Sequence, residues 1–333
     1  MKDKMNKLFG SMFSGSKEKE PQAGDSPGRV ESPVDSLLGK KFEGYFVREL
    51  IGEGAQGKVY RVTPTEDSQS PNYALKFCAR QVPSIEKELE NPNLPEPQRK
   101  NIENKLSMAL NDDKRFSREM NTLMNKLNHA NVIKPLKYGS EDEHHWVIMP
   151  YLGKVSLDSR LEQGSLENSE LLSIFKDISD GLQTVHDQDI VHRDLKPQNI
   201  MLDKGKAIII DFGFVKGKDD KTFTAPGSLL GTTAYMAPEQ INFQEPQNKK
   251  TDQFTLGVMI YFSLTSSFPY PVKGLNSLLT RDRYEYDSLL KYRPDLASDS
   301  DDVLQKMMAK TQKERFETVK DAYEAFAATS SFL

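Results

Sequence analysis

The chain of 333 residues contains one cysteine, Cys78. No disulfide can close within it, and no cysteine-based zinc site can form. Cys78 lies in an apolar run and reads as a buried small hydrophobe. Histidine is scarce too, with five in all, and the one adjacent pair, His144-His145, has no cysteine nearby. No run of 18 or more apolar residues occurs, so no transmembrane helix is predicted. The opening Met1-Lys2-Asp3-Lys4 lacks the unbroken apolar stretch and small-residue cleavage site of a secretory signal, and cytoplasmic residence is the expectation. Charge of one sign is also missing. Lys and Arg total 45 against 49 Asp and Glu, for a net charge of −4 and a pI near 5.9. That balance gives no bulk electrostatic reason for a nucleic-acid partner.

What remains is ordinary globular material, 37% hydrophobic and 28% charged, enough to bury a sizeable core. Residues 1–41 read as a disordered tail and linker, rich in Ser, Gly, Pro, Lys and Glu from 14 to 36. Within it Met5, Leu8, Phe9, Met12 and Phe13 recur at helical spacing near Lys2, Lys4 and Lys7. Such a face suits docking on a partner or a membrane surface, although an isolated helix this short is marginal in water. The folded region is expected from Phe42. Residues 42–152 read as a small sheet-rich unit and 153–333 as a larger helical one, giving an α+β class. Strands are predicted around a glycine-rich turn between 42 and 62, at Tyr73–Cys78, at Val132–Tyr138 and at Trp146–Leu152. Residues 80–111, polar and with four prolines, read as a surface insertion with some helix at 98–110. A separate helix is predicted over 112–128, and further helices over 168–187, 250–265, 300–310 and 317–328. Two short strands, Ile200–Leu202 and Ala207–Ile210, flank a Lys204-Gly205 turn.

Four motifs carry chemistry. Gly52-Glu53-Gly54-Ala55-Gln56-Gly57-Lys58-Val59 is a G-x-G-x-x-G-x-V loop. Alone it is weak, but a strand rather than a helix follows the last glycine, which argues against a dinucleotide-binding fold. Glycines let the backbone approach phosphates and offer them N–H groups. Lys76, inside the apolar strand Tyr73–Cys78, is costly there unless paired. Glu119, in the helix that follows, is the expected partner, with Glu103 of the same region as the alternative. The strongest signal is His192-Arg193-Asp194-Leu195-Lys196-Pro197-Gln198-Asn199, followed twelve residues after Asn199 by Asp211-Phe212-Gly213. Phosphoryl transfer needs a carboxylate to orient a hydroxyl and take its proton, and cations to offset developing charge. Asp194 and Lys196 suit those roles. Asn199 and Asp211 are oxygen ligands suited to Mg²⁺ or Mn²⁺.

These motifs, in this order, resemble the eukaryotic-type (Hanks-type) serine/threonine protein kinase family from about Phe42 to about Phe326. The resemblance implies a bilobal fold, with an antiparallel sheet lobe carrying one main helix and a mainly helical second lobe. It implies ATP as phosphoryl donor and protein Ser or Thr hydroxyls as acceptors, the latter from Lys196 and Thr232. By resemblance Ile51, Val59 and Ala74 roof an adenine pocket and Met201 floors it. Met149 stands at its back, and Pro150 and Leu152 supply hinge backbone groups. Gly231-Thr232-Thr233-Ala234-Tyr235-Met236-Ala237-Pro238-Glu239 matches the end of an activation segment. Asp252 matches a brace for the catalytic loop, and Arg315 a partner of Glu239. Arg193 implies control by autophosphorylation of the activation segment on one or more of Thr222, Thr224 and Ser228, with Lys216 beside it. The Ala237-Pro238-Glu239-Gln240 ending looks bacterial. A pseudokinase scaffold is the alternative, against which Lys76, Asp194, Asn199 and Asp211 are all present. A small-molecule kinase would usually carry Gly in place of Arg193 and lack the Ala-Pro-Glu segment.

Overall fold

In the computed structural model the described residues are 37–54, 57–67, 71–141, 144–164, 166–212, 234–242, 246–270, 286–330 and 332. Six strands form one antiparallel sheet: β1 (Lys41–Phe42), β2 (Tyr45–Gly54), β3 (Gly57–Thr63), β4 (Tyr73–Ala79), β5 (Lys137–Glu141) and β6 (His144–Pro150), in the order β1-β2-β3-β4-β6-β5. Alternation along β4 decides what faces where. Leu75 and Phe77 join Val47, Tyr60, Val62, Trp146 and Ile148 on the outer face. Ala74 points the other way, with Val147 and Met149, into the main core. Lys76 shares Ala74's parity and is thereby directed to the inner face. The third glycine of the loop is fixed by the sheet itself. Gly57 has φ +115°, and a Cβ there would meet the Phe77 carbonyl oxygen at 1.8 Å.

Two helices follow β4. The first, α1 (Val82–Leu89), packs on the front half of α2 (Glu96–Asn125) in a small separate core of Val82, Ile85, Ile102 and Ala109. This corrects the sequence reading of an insertion ending near 111 and a new helix at 112. One helix of 30 residues runs through both. No glycine or proline interrupts 98–125, and Asn111, Asp112 and Asp113 fall where solvent or ion pairs accommodate them. The rear half of α2 carries Phe116, Met120 and Leu123 into the main core. The strand expected at Val132–Tyr138 is also revised. Val132 and Ile133 enter the core from a loop, with Val132 bridging Ile209, and β5 starts only at Lys137. Pro135 lacks the N–H a ladder needs.

The second part is helical: α3 (Leu157–Glu162), α4 (Asn168–His186), the hairpin β7 (Ile200–Asp203) and β8 (Lys206–Ile209), then α5 (Pro238–Asn242), α6 (Lys249–Thr265), α7 (Ser298–Met307) and α8 (Val319–Ala327). Helix α6 is apolar nearly all round and accordingly buried, from Thr251 to Leu264. Asn248 caps it, its side chain accepting from the Lys250 amide at 2.8 Å. Among the described residues no helix is long and apolar enough to cross a membrane. The sheet with its helices and the helical part together make the expected bilobal α+β fold. Ala55, Gln56, Gly213, Lys216, Thr222, Thr224, Ser228, Gly231, Thr232, Thr233 and residues 1–36 lie outside the described residues.

Candidate active site

The site is built on the loop between α4 and β7. Its backbone is held by a buried carboxylate. Asp252 of α6 accepts the His192 amide at 2.8 Å, the Arg193 amide at 2.9 Å and the His186 Nε2–H at 2.8 Å. Burial alone would raise the Asp252 carboxyl, but the His186 hydrogen bond and nearby His192 hold it below the usual aspartate value. This bracing matters because Arg193 sits at φ +63°, a conformation non-glycine residues adopt only when their surroundings enforce it. His192 Nε2–H donates to the Ile210 carbonyl at 2.9 Å, tying the loop to the segment before Asp211. Phe212 packs against the His192 ring, 4.7 Å between centroids.

Within the braced loop Asp194 is buried, and Lys196 and Asn199 both reach its carboxylate. Lys196 Nζ lies 3.1 Å from Oδ2, and Asn199 Nδ2–H donates to Oδ2 at 3.2 Å and to the Asp194 carbonyl at 2.8 Å. Asn199 thus spends its amide donors on Asp194, and no hydrogen bond to its Oδ1 occurs among the described residues. Asp211, at φ +55°, accepts from Lys76 Nζ at 2.9 Å. Burial alone would lower the Lys76 ammonium, but the Asp211 carboxylate outweighs it and holds the group above the ordinary lysine value. Asn199 Oδ1 and the Asp211 carboxylate are hard oxygen donors, which fits Mg²⁺. Such an ion keeps several waters and takes one or two protein oxygens plus substrate phosphates.

The structure departs from the expected Lys76–Glu119 pair. Glu119, on α2 and 3% exposed, faces Arg193, with Oε1 3.7 Å from Arg193 Nη1 and Oε2 without any hydrogen bond. Its carboxyl is pushed up by burial, which Arg193, Arg115 and Arg118 only partly oppose. The physical reason is competition: Asp211 already holds Lys76 Nζ at 2.9 Å, which leaves Arg193 as the cation facing Glu119.

The residues given to an adenine pocket sit on β2, β3, β4, β6, the segment just after β6, and β7. Val59 pairs in register with Lys76, and Ala74 with Met149. Val59, Ala74, Met149 and Leu152 belong to one apolar cluster. Pro150 ends β6 opposite Tyr73, and Ser156 bridges Met201 on β7. Ile51 lies on β2 beside Gly52 and is half-buried. Glu53 and Lys58 form an ion pair across the glycine turn at 3.6 Å. In the lower part Arg315 grips Glu239 with two bonds of 2.8 and 2.9 Å. Residue pattern alone missed three contributors. Gln240 donates to the Arg193 carbonyl at 2.8 Å while accepting the Ala237 amide. His186 shares Asp252. Asp158 accepts from Gln198 Nε2–H at 2.8 Å, and burial together with Glu162 pushes its carboxyl up to about 6.

This arrangement can be compared with known proteins. A profile described as a protein kinase domain matches residues 45–326. The chain belongs to the protein kinase family. The serine/threonine-protein kinase PrkC of Bacillus subtilis is 29% identical over 211 residues, covering 62% of this chain and 32% of PrkC. The serine/threonine-protein kinase PknJ of Mycobacterium tuberculosis is 25% identical over 299 residues, 87% of this chain and 46% of PknJ. The cAMP-dependent protein kinase type 3 of Saccharomyces cerevisiae is 26% identical over 280 residues, 84% of this chain and 62% of that kinase. This kinase chain thus spans about a third of the length of PrkC and under half that of PknJ.

Proposed function

We propose that this chain is a catalytically competent serine/threonine protein kinase that moves the γ-phosphoryl group of ATP to protein Ser and Thr hydroxyls. The observation that carries the reading is the Asp194 carboxylate, held by Lys196 and Asn199 on a loop that Asp252 braces. An acceptor hydroxyl beside Asp194 gives it a proton as its oxygen bonds the γ-phosphorus. The bond from that phosphorus to the β–γ bridging oxygen breaks, and ADP departs with that electron pair. Lys196 offsets negative charge on the group in transit. Lys76 neutralises the α and β phosphates, for which it must leave Asp211 and take Glu119 as its partner. Asn199 and Asp211 would hold Mg²⁺, which when bound neutralises phosphate charge. Ile51, Val59, Ala74 and Met201 sandwich the adenine, Met149 backs it, and the backbone of Pro150 and Leu152 faces its edge. The turn from Gly52 to Val59, with Glu53, Gly54, Ala55, Gln56, Gly57 and Lys58, covers the phosphates.

The Glu119–Arg193 pair supports a resting arrangement. Phosphate on Thr222, Thr224 or Ser228 would attract Arg193 and release Glu119 to Lys76. Mass spectrometry of active protein finding no phosphate between 214 and 233 would reject that part. The reaction is placed in the cytoplasm, where ATP is supplied, and the amphipathic start of the chain is a docking segment whose deletion should alter location rather than turnover. Residues 1–41, 42–152 and 153–333 are taken as tail, first lobe and second lobe. The test of the main reading is incubation with γ-labelled ATP, Mg²⁺ and a basic generic protein, then acid hydrolysis. Label in phosphoserine or phosphothreonine that Asp194→Ala abolishes is expected. Label in phosphotyrosine only, or label indifferent to Asp194→Ala, rejects it.

A further inference from the structure

Helix α2 is tied to the rest of the molecule at two levels. One is the Glu119–Arg193 contact described above. The other lies six residues earlier, roughly 9 Å along the helix at 1.5 Å per residue. There Asp113 reaches the sheet. Asp113 Oδ1 is 3.0 Å from His145 Nε2, and its Oδ2 accepts from Arg80 Nε at 2.6 Å. His145 Nδ1 lies 2.7 Å from Ser140 Oγ. A carboxylate only accepts, so Nε2 carries the proton and Nδ1 accepts from the Ser140 hydroxyl. The imidazole is 3% exposed and stacks on Phe116 of α2, 4.1 Å between centroids and 22° between planes. One buried ring therefore links β5 (Ser140), β6 (His145), the end of β4 (Arg80 through Asp113) and the middle of α2. Its strand position is also specific. His145 pairs in register with Cys78, and Lys76 with Val147, two positions further along the same ladder.

The polar link is more than packing requires. An apolar side chain would fill the same space, and a buried polar group without its partners is costly. What the link adds is direction. It holds α2 at residue 113. Because helix geometry is rigid over the roughly 1.7 turns to residue 119, it sets the height at which residue 119 meets Lys76 and Arg193 while leaving the helix to pivot about the held point. Exchange of Glu119 between those two cations needs the helix to turn about a held point rather than drift.

We propose that His145 is a positioning residue for phosphoryl transfer, acting through Asp113 and helix α2 on Glu119. The inference rests on the kinase reading above. The test uses the full chain, γ-labelled ATP and a generic basic protein. His145→Leu, His145→Gln and Asp113→Ala are made in the wild-type background and again in Glu119→Gln. Asp113→Ala cuts the same link from the helix side without opening the sheet core, so it answers the question if His145→Leu fails to fold. His145→Gln can still donate to Asp113. Expected in the wild-type background is a loss of about tenfold in kcat/KM for ATP for His145→Leu and Asp113→Ala, and of under about threefold for His145→Gln. In the Glu119→Gln background the same changes should cost less than about twofold, since the group they position is gone. Equal losses in both backgrounds overturn the proposal while leaving the kinase reading intact. So does a His145→Gln loss as large as that of His145→Leu. A wild-type chain that transfers no phosphate overturns both.

Discussion

The His192–Asn199 loop and helix α2 meet at Arg193, yet they are held in opposite ways. On the loop side the buried carboxylates of Asp252 and Glu239 are satisfied. Asp252 accepts three hydrogen bonds, and Arg315 closes on Glu239 with two. On the helix side Glu119 is equally buried, but one oxygen has no partner and the other is 3.7 Å from its cation. A fully satisfied buried charge is expensive to disturb, whereas an under-satisfied one is close to balance with alternatives. The loop is thus a fixed platform, and the glutamate a part that can change partners. That division suits a phosphotransferase whose hydroxyl-orienting group must be preorganised while its phosphate-gripping lysine is assembled on demand.

The comparison can be broken at several points. The largest effect is expected on the platform. Arg315→Ala leaves the Glu239 carboxylate buried without its cation and should cost about 3–5 kcal/mol in chemical denaturation. Asp194→Asn keeps the shape of the loop. It should lower transfer by about a thousandfold, with a melting temperature near that of the wild type. Glu119→Gln should behave in the opposite sense to Arg315→Ala. Denaturation midpoints should stay level or rise, because a poorly compensated buried charge is removed, while kcat/KM falls by about tenfold. If Glu119→Gln is as destabilising as Arg315→Ala, the two regions are not held differently.

The smallest effect concerns Asp158, beside the loop through Gln198. Its folded carboxyl lies at about 6 against an ordinary 3.8. The folded protein therefore holds this proton more tightly than the unfolded chain, so the carboxylate destabilises the fold above that pH. The penalty is relieved as pH falls from about 6 toward 3.8. Asp158→Asn should stabilise the protein at pH 7.5 by roughly 1 kcal/mol, discounted for partial exposure, and by nothing near pH 4. Denaturation curves at the two pH values check the sign.

Much of this was legible in the residues. The buried lysine of β4 announces itself because a charge in an apolar strand needs a partner. Helix α4 follows from Leu171, Phe175, Ile178, Leu182 and Val185 at helical spacing, all buried. The loop and Asp252 follow from motif order. The misread parts have a common cause. Val132 and Ile133 look like a strand, but they are core residues on a loop, and apolarity alone does not separate the two. The continuity of α2 was hidden by Asn111-Asp112-Asp113, which resembles a helix start until Arg80 and His145 are seen to pair with Asp113. The partner of Glu119 depends on Asp211 already holding Lys76 and on Arg193, 74 residues away in sequence. No local pattern encodes that competition.

The central claim is that the loop stays fixed while Glu119 changes partner. A crystal structure of phosphorylated protein with Mg²⁺ and a non-hydrolysable ATP analogue tests it most directly. The account predicts Lys76 Nζ within ion-pair distance of Glu119, Arg193 on the activation-segment phosphate, and the Asp252 bonds to the His192 and Arg193 amides unchanged. Glu119 still on Arg193 in a nucleotide complex of demonstrably active enzyme, or a catalytic loop that has left Asp252, would contradict it.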